Sequence, residues 1–238
     1  MSTDNLEALN RFISIVLTRP AESQAGAASG PARMVPVVTI ARDHGAGGEE
    51  VGRLVAEALG VGYYDKELLD DVVRHARANK TLMHHLDERA VGDDVTIMLA
   101  RLWSGSEPEQ EYRHCLAKAI FKIADVGGVI MGRGAHVVLA DREILRVHLI
   151  GSPGACALRL AGGDRAKALV LRSAVRVTNR ERGRFVWETF HSRTTDSTSF
   201  DLTINTDRFA DLRGVADLVV QAFHHRFPAW KPTAKAAA

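Results

Sequence analysis

The stretch Val37-Val38-Thr39-Ile40-Ala41-Arg42-Asp43-His44-Gly45-Ala46-Gly47-Gly48-Glu49-Glu50-Val51-Gly52 constrains this chain more than any other part of it. It opens on a β-branched apolar run with the pattern of a buried strand. Three glycines follow within four positions. Val51, Leu54, Val55, Ala58 and Leu59 then recur at helical spacing, which predicts a helix from about Glu49. A strand that passes through a glycine-rich turn into a helix offers backbone N–H groups and the positive end of a helix dipole to a phosphate. Asp43, Glu49 and Glu50 lie around the turn and oppose such a ligand electrostatically. A tight βα connection, its glycines serving backbone geometry alone, is the plainer alternative.

The usual phosphate loop ends in Gly-Lys-Ser/Thr. Here Gly48 stands in the place of the lysine, and Glu49 in the place of the magnesium-binding hydroxyl. With 238 residues, 46% of them hydrophobic, the chain can bury one substantial core, or a core and a small subdomain. A net charge of +2 provides no global field for nucleic acid, and Trp103, Trp187 and Trp230 are too scattered for a base-stacking platform. Cys115 and Cys156 sit in apolar contexts that suit reduced core residues of a cytoplasmic protein. No apolar run is long enough to span a bilayer, so no membrane partner is expected. The adjacent pairs His84-His85 and His224-His225 diverge on a helix and do not make a metal pair.

Residues 1–18 read as an amphipathic helix through Leu6, Leu9, Ile13, Val16 and Leu17, packed on the domain or forming a homo-oligomer with a partner subunit. Residues 19–36, rich in Pro, Ala, Gly and Ser, read as a flexible linker. A second short strand is expected at 61–65 and a mostly helical region at 66–125, loosest from about Leu82 to Glu111. Further strands are expected at 128–131, at 145–150 with interruptions at Arg146 and His148, and at 201–205. Between the last two lies a basic helical segment, about 159–196. A closing helix through Phe223 completes a domain over 37–227, followed by a disordered tail at 228–238. Strands alternating with helices imply an α/β fold with a mainly parallel sheet.

Ile40-Ala41-Arg42 with Gly45-Ala46-Gly47-Gly48, then Tyr63-Tyr64-Asp65-Lys66-Glu67-Leu68, Leu86-Asp87-Glu88-Arg89, Ile130-Met131-Gly132-Arg133-Gly134-Ala135 and Asp201-Leu202-Thr203-Ile204-Asn205-Thr206 occur in an order that resembles the cytidylate kinase-like family, a nucleoside monophosphate kinase branch of the P-loop NTPases. The resemblance implies a three-layer fold around a five-stranded parallel sheet, with a helical monophosphate-binding insertion at about 66–125 and an arginine-rich lid at about 159–196. It implies transfer of the ATP γ-phosphate to CMP or dCMP, with magnesium, and hence small-molecule nucleotides as partners.

The site residues follow from the same resemblance. Arg42, Gly45, Ala46, Gly47, Gly48, Glu49 and Glu50 would surround the donor phosphates, with Asn205 and Thr206 near its base. Asp65, Lys66 and Arg133 would meet the acceptor nucleotide, while Arg133, Arg180, Arg182 and Arg184 would clamp the transferring phosphate. A structural ion pair at Arg133, a helix cap at Asp65 and a solvated basic face for the lid arginines are the plainer readings. The chain departs from the family pattern at Gly48, at Glu49 where a basic residue is common, and at Asn179 where an aspartate is expected. Magnesium is left to phosphates, water and a single acid such as Glu50 or Asp65. Two functions therefore stay open: an active kinase, and a nucleotide-binding or structural relative that has lost transfer.

Overall fold

The computed structural model describes residues 34–79 and 107–230, with residues 9, 10, 13 and 14. Most of the expected N-terminal helix and linker, the stretch 80–106 and the tail from 231 lie outside the described residues. Leu9, Asn10, Ile13 and Ser14 are helical, and Leu9 is buried. The chain divides into two compact units, with boundaries at Val35/Pro36, Asp65/Lys66 and Gly127/Gly128.

The unit containing the glycine-rich turn is built on five parallel strands: β1 (Val37–Arg42), β2 (Gly62–Tyr64), β3 (Gly128–Met131), β4 (Leu145–Ile150) and β5 (Leu202–Asn205). They lie in the order β2-β3-β1-β4-β5, so the first strand is central. Val37 to Ala41 and all of β3 are buried, which is why both read as unbroken apolar runs. Arg146 and His148 do not interrupt β4. Its residues alternate between buried and half-buried, so these two occupy its wetter face. Strand β5 starts one residue later than expected; Asp201 ahead of it donates its N–H to the Arg146 carbonyl at 2.8 Å, and its carboxylate accepts the Arg146 N–H and Nε–H at 2.8 and 3.2 Å.

Helix α1 (Gly48–Leu59) begins directly after Gly47 and stops at Gly60, whose N–H reaches the carbonyls of Ala56 and Glu57. Helix α7 (Leu212–Arg226) is capped by Asp211 and packs against α1 and the sheet. It does not end the folded chain: the Trp230 ring packs edge-on to Phe223 at 5.5 Å, so residues 228–230 fold back onto it rather than opening the tail. The expected basic helical segment is a hairpin. Helix α5 (Pro153–Leu160) is capped by the Ser152 hydroxyl and carries Arg159. A turn at Gly162-Gly163 leads to α6 (Arg165–Phe190), capped by Asp164. Short helix α4 (Ala135–Val138) follows β3 and buries His136. The Phe200 ring lies between two imidazoles, 4.6 Å from His136 and 4.6 Å from His148.

In the other unit, α2 (Lys66–Ala78) and α3 (Glu107–Val126) pack together, burying Leu68, Leu69 and Val72 on the first and Leu116, Ile120 and Ile123 on the second. Tyr112 donates to Asp70 at 2.9 Å, and Arg77 pairs with Glu111 at 2.7 Å.

Candidate functional site

The turn from β1 into α1 opens on a cleft of about 450 Å³ at the carboxyl edge of the sheet. It is lined by the turn from Arg42 to Gly45, by Gly47 to Glu50 and Arg53 at the start of α1, and by Arg159, Leu160 and Arg182 of the α5–α6 hairpin. Four arginines and three acids, Asp43, Glu49 and Glu50, therefore share this lining. Val51 donates back to the Gly47 carbonyl at 3.1 Å, and the amides ahead of it, at Gly48, Glu49 and Glu50, are the first-turn donors that a helix leaves open.

The turn is held from several sides. Gly45 and Gly47 have φ of +82° and +80°. A Cβ on Gly45 would lie 2.6 Å from the carbonyl oxygen of Cys156, a backbone atom of α5. Gly45→Ala is therefore expected to cost about 1–2 kcal/mol for the left-handed backbone alone, plus the displacement of α5. A drop in the urea midpoint would report it. Arg159 donates to the Gly45 carbonyl at 2.6 Å and to the Thr206 carbonyl at 2.8 Å, tying the turn to the end of β5. The His44 N–H donates to Asn179 Oδ1 at 2.7 Å, and Arg182 donates to the Arg42 carbonyl at 3.1 Å. Asp43 accepts the Gly151 N–H at 3.1 Å.

Arg42 connects two glycine turns. A Cβ on Gly48 would lie 2.6 Å from Arg42 Cγ, and one on Gly132 would lie 2.5 Å from Arg42 Nη1. Only residues without side chains let this arginine run from the first turn to the second. Its side chain is 10% exposed and its Nε has no hydrogen-bond partner among the described residues; Glu49 is 3.9 Å away. Arg53, a turn along α1 from Glu49 and Glu50, stacks on the Tyr63 ring at 4.6 Å. Burial, with Asp65 nearby, pushes the Tyr63 hydroxyl up to about 12. Burial, then Arg182, lowers the His44 pKa from 6.5.

Of the residues singled out from sequence, the cleft gathers Arg42, Gly45, Gly47, Gly48, Glu49, Glu50 and Arg182. Ala46 is fully buried beneath the turn. Arg133, with φ +51°, sits at the same edge of the sheet but lays its guanidinium on the Phe185 ring of α6 at 4.7 Å. Arg180 is exposed and outside the cleft lining, and Arg184 pairs with Glu188 at 3.8 Å on the solvent side. Thr206 touches the site through its carbonyl, while the Asn205 side chain accepts the Asp207 N–H at 2.9 Å. Asp65 directly follows β2; Lys66 opens α2 and is exposed. Reasoning from sequence did not single out Arg159, His44 or Arg53. Arg53 carried a signal, since positions 49, 50 and 53 share a helix face; Arg159 did not.

Among the described residues, no group of three or more His, Cys, Asp or Glu side chains converges as a metal site would require. Asp43 is already engaged, and Glu49 and Glu50 are exposed. A magnesium ion would fit here when carried on phosphates, and no step is assigned to an ion held by the protein itself. No helix among the described residues is long and apolar enough to cross a membrane.

A family model described as the cytidylate kinase-like family matches residues 37–208. Among solved structures, an uncharacterized protein from Eubacterium ventriosum ATCC 27560 shares the fold. Its TM-score is 0.56 at 20% identity, over 79% of this chain and 98% of that one. A shikimate kinase from Bacteroides thetaiotaomicron has a TM-score of 0.41 at 18% identity, over 80% of this chain and 97% of its own. A sugar kinase from Janibacter sp. HTCC2649 has 0.39 at 13%, over 82% and 95%. Both are looser likenesses. No curated protein matches the chain.

Proposed function

The chain belongs to the cytidylate kinase-like family, and on that premise we propose that it transfers the γ-phosphoryl group of ATP to a nucleoside monophosphate, CMP or dCMP, in the cytoplasm. The observation that carries this reading is the convergence of Arg42, Arg53, Arg159 and Arg182 on a cleft floored by a glycine turn and a helix N-terminus. Phosphoryl transfer asks a protein mainly for aligned phosphates, charge stabilisation and exclusion of water.

In this reading, the first-turn amides of α1 cradle the donor phosphates and Arg42 supplies the cation that Gly48 does not. Arg182 closes on the transferring group from α6, and Arg133 leaves Phe185 to hold the acceptor phosphate as a bidentate fork. Magnesium arriving with the nucleotide would neutralise phosphate charge and offset repulsion from Glu49 and Glu50. The missing loop lysine favours a second reading, in which the cleft binds nucleotide without transfer.

The test is turnover of ATP with CMP, dCMP, UMP and AMP, with and without magnesium, for wild type and Arg133→Ala. The expected result is diphosphate product from CMP or dCMP, with Arg133→Ala binding ATP normally and raising KM for the acceptor roughly 10- to 100-fold, the worth of a charged hydrogen bond. ATP binding without product selects the second reading. No binding of ATP or any monophosphate at millimolar concentration overturns both.

A further inference from the structure

We propose that His44 takes up a proton when the glycine turn binds a polyphosphate, so that nucleotide affinity rises as pH falls; the proposal rests on the nucleotide reading above. His44 is part of the turn itself and lines the cleft between Asp43 and Gly45. The bond from its N–H to Asn179 fixes its backbone against α6, while its side chain is half-buried among the cleft residues. The charges acting on the ring come from three elements. Arg182 of α6 and Arg42 of β1 oppose a further positive charge, and Glu49 of α1 favours it. Asp43 beside it, Glu50 and Arg53 of α1 and Arg159 of α5 complete the charged lining.

Without an anion, burial first, then Arg182 and, more weakly, Arg42, lower the His44 pKa, with Glu49 opposing them. A triphosphate reverses that field. It brings several negative charges, pairs with the arginines, and offers oxygen acceptors to a second ring N–H that the neutral imidazole lacks. The proton comes from solvent and adds to the unprotonated ring nitrogen, and no bond of the nucleotide breaks. Arg42 and Arg182 stay charged throughout, which makes His44 the cleft's adjustable cation.

The experiment is calorimetric titration of ATP into the full-length protein at about pH 6, 7 and 8, the range in which a histidine changes charge. It uses two buffers of different ionisation enthalpy and compares wild type with His44→Gln. The ATP phosphate also titrates in this range, so the difference between the two proteins isolates the proton taken up by the chain. Wild type is expected to gain about tenfold more affinity than His44→Gln between the highest and lowest pH, the value of one pKa unit. It should also take up a fraction of a proton that the variant does not. If His44→Gln fails to fold, the His44 ring resonances followed by NMR decide: a ring pKa unchanged by saturating ATP overturns the proposal. Equal pH dependence and equal proton uptake in the two proteins overturn the coupling alone. No ATP binding by wild type at any pH overturns the nucleotide reading and the coupling with it.

Discussion

Replacing Arg42 by alanine is expected to lower the rate of phosphoryl transfer by about 100- to 1,000-fold, the usual cost of removing one preorganised charge contact to a transition state. The side chain spans the gap between the Gly48 and Gly132 turns, and both turns are cut back to glycine where it passes. It is held mainly by packing, with a long ion pair at 3.9 Å to the exposed Glu49. Its guanidinium is therefore already in place for a ligand, and little order is lost on binding. Arg42→Lys keeps the charge but loses the fork, so it should recover part of the rate. The measurement is kcat for both variants beside a thermal unfolding curve. A folded Arg42→Ala protein with wild-type kcat would remove Arg42 from the phosphate site.

The second large effect is on stability against pH. His136 is buried, its Nε2 has no hydrogen-bond partner among the described residues, and it stacks on Phe200 opposite His148. Burial first, then the neighbouring His148 and Arg146, bring its pKa from 6.5 down to about 4. The unfolded chain therefore binds the proton at a higher pH than the folded one. Stability is intact above the unfolded value and is lost as pH falls from 6.5 toward 4. At about 1.4 kcal/mol per pH unit, the loss amounts to roughly 3 kcal/mol. His148, also lowered by burial, adds to it in the same direction. Urea midpoints across this range should fall more steeply for wild type than for His136→Phe, which keeps the stack but cannot charge. Parallel curves for the two proteins would refute this origin.

The parts of the fold legible in the sequence are those whose burial is two-sided or whose backbone demands glycine. Val37–Ala41 and Gly128–Met131 read as strands because nothing polar fits on either face. Gly45, Gly47 and Gly134, all with φ of +70° or more, mark their turns in any reading. Strand β4 is harder, because Arg146 and His148 occupy a half-open face that polar side chains tolerate. The site is legible where it is local, at Arg42 and the first turn of α1. It is illegible where distant chain meets it: Arg159 lies in an ordinary helical stretch, and its role comes from carbonyls 114 and 47 residues away. Among the basic residues of α6, helix geometry alone separates Arg182 from Arg180 and Arg184. Two residues along a helix turn a side chain by about 200°, so the first cannot face the same way as the other two. That Arg133 rests on Phe185 depends on how α6 returns to the sheet, which no local pattern encodes.

The α5–α6 hairpin holds the glycine turn from two helices at once. Helix α6 is buried at Val175, Val186, Thr189 and Phe190, and it meets the turn through Asn179 and Arg182. Ahead of Val175 it has no buried residue, and Leu169 and Val170 stand 74% and 75% exposed. At 1.5 Å per residue, the stretch from Asp164 to Asn179 is about 22 Å long, and α5 ties back to the same turn through Arg159, three residues before Gly162. A shift of the turn at Gly45 or His44 is therefore expected to reach both helices of the hairpin together. A distance probe attached at Gly162 or Gly163, which lie outside the cleft lining, is expected to report such a shift.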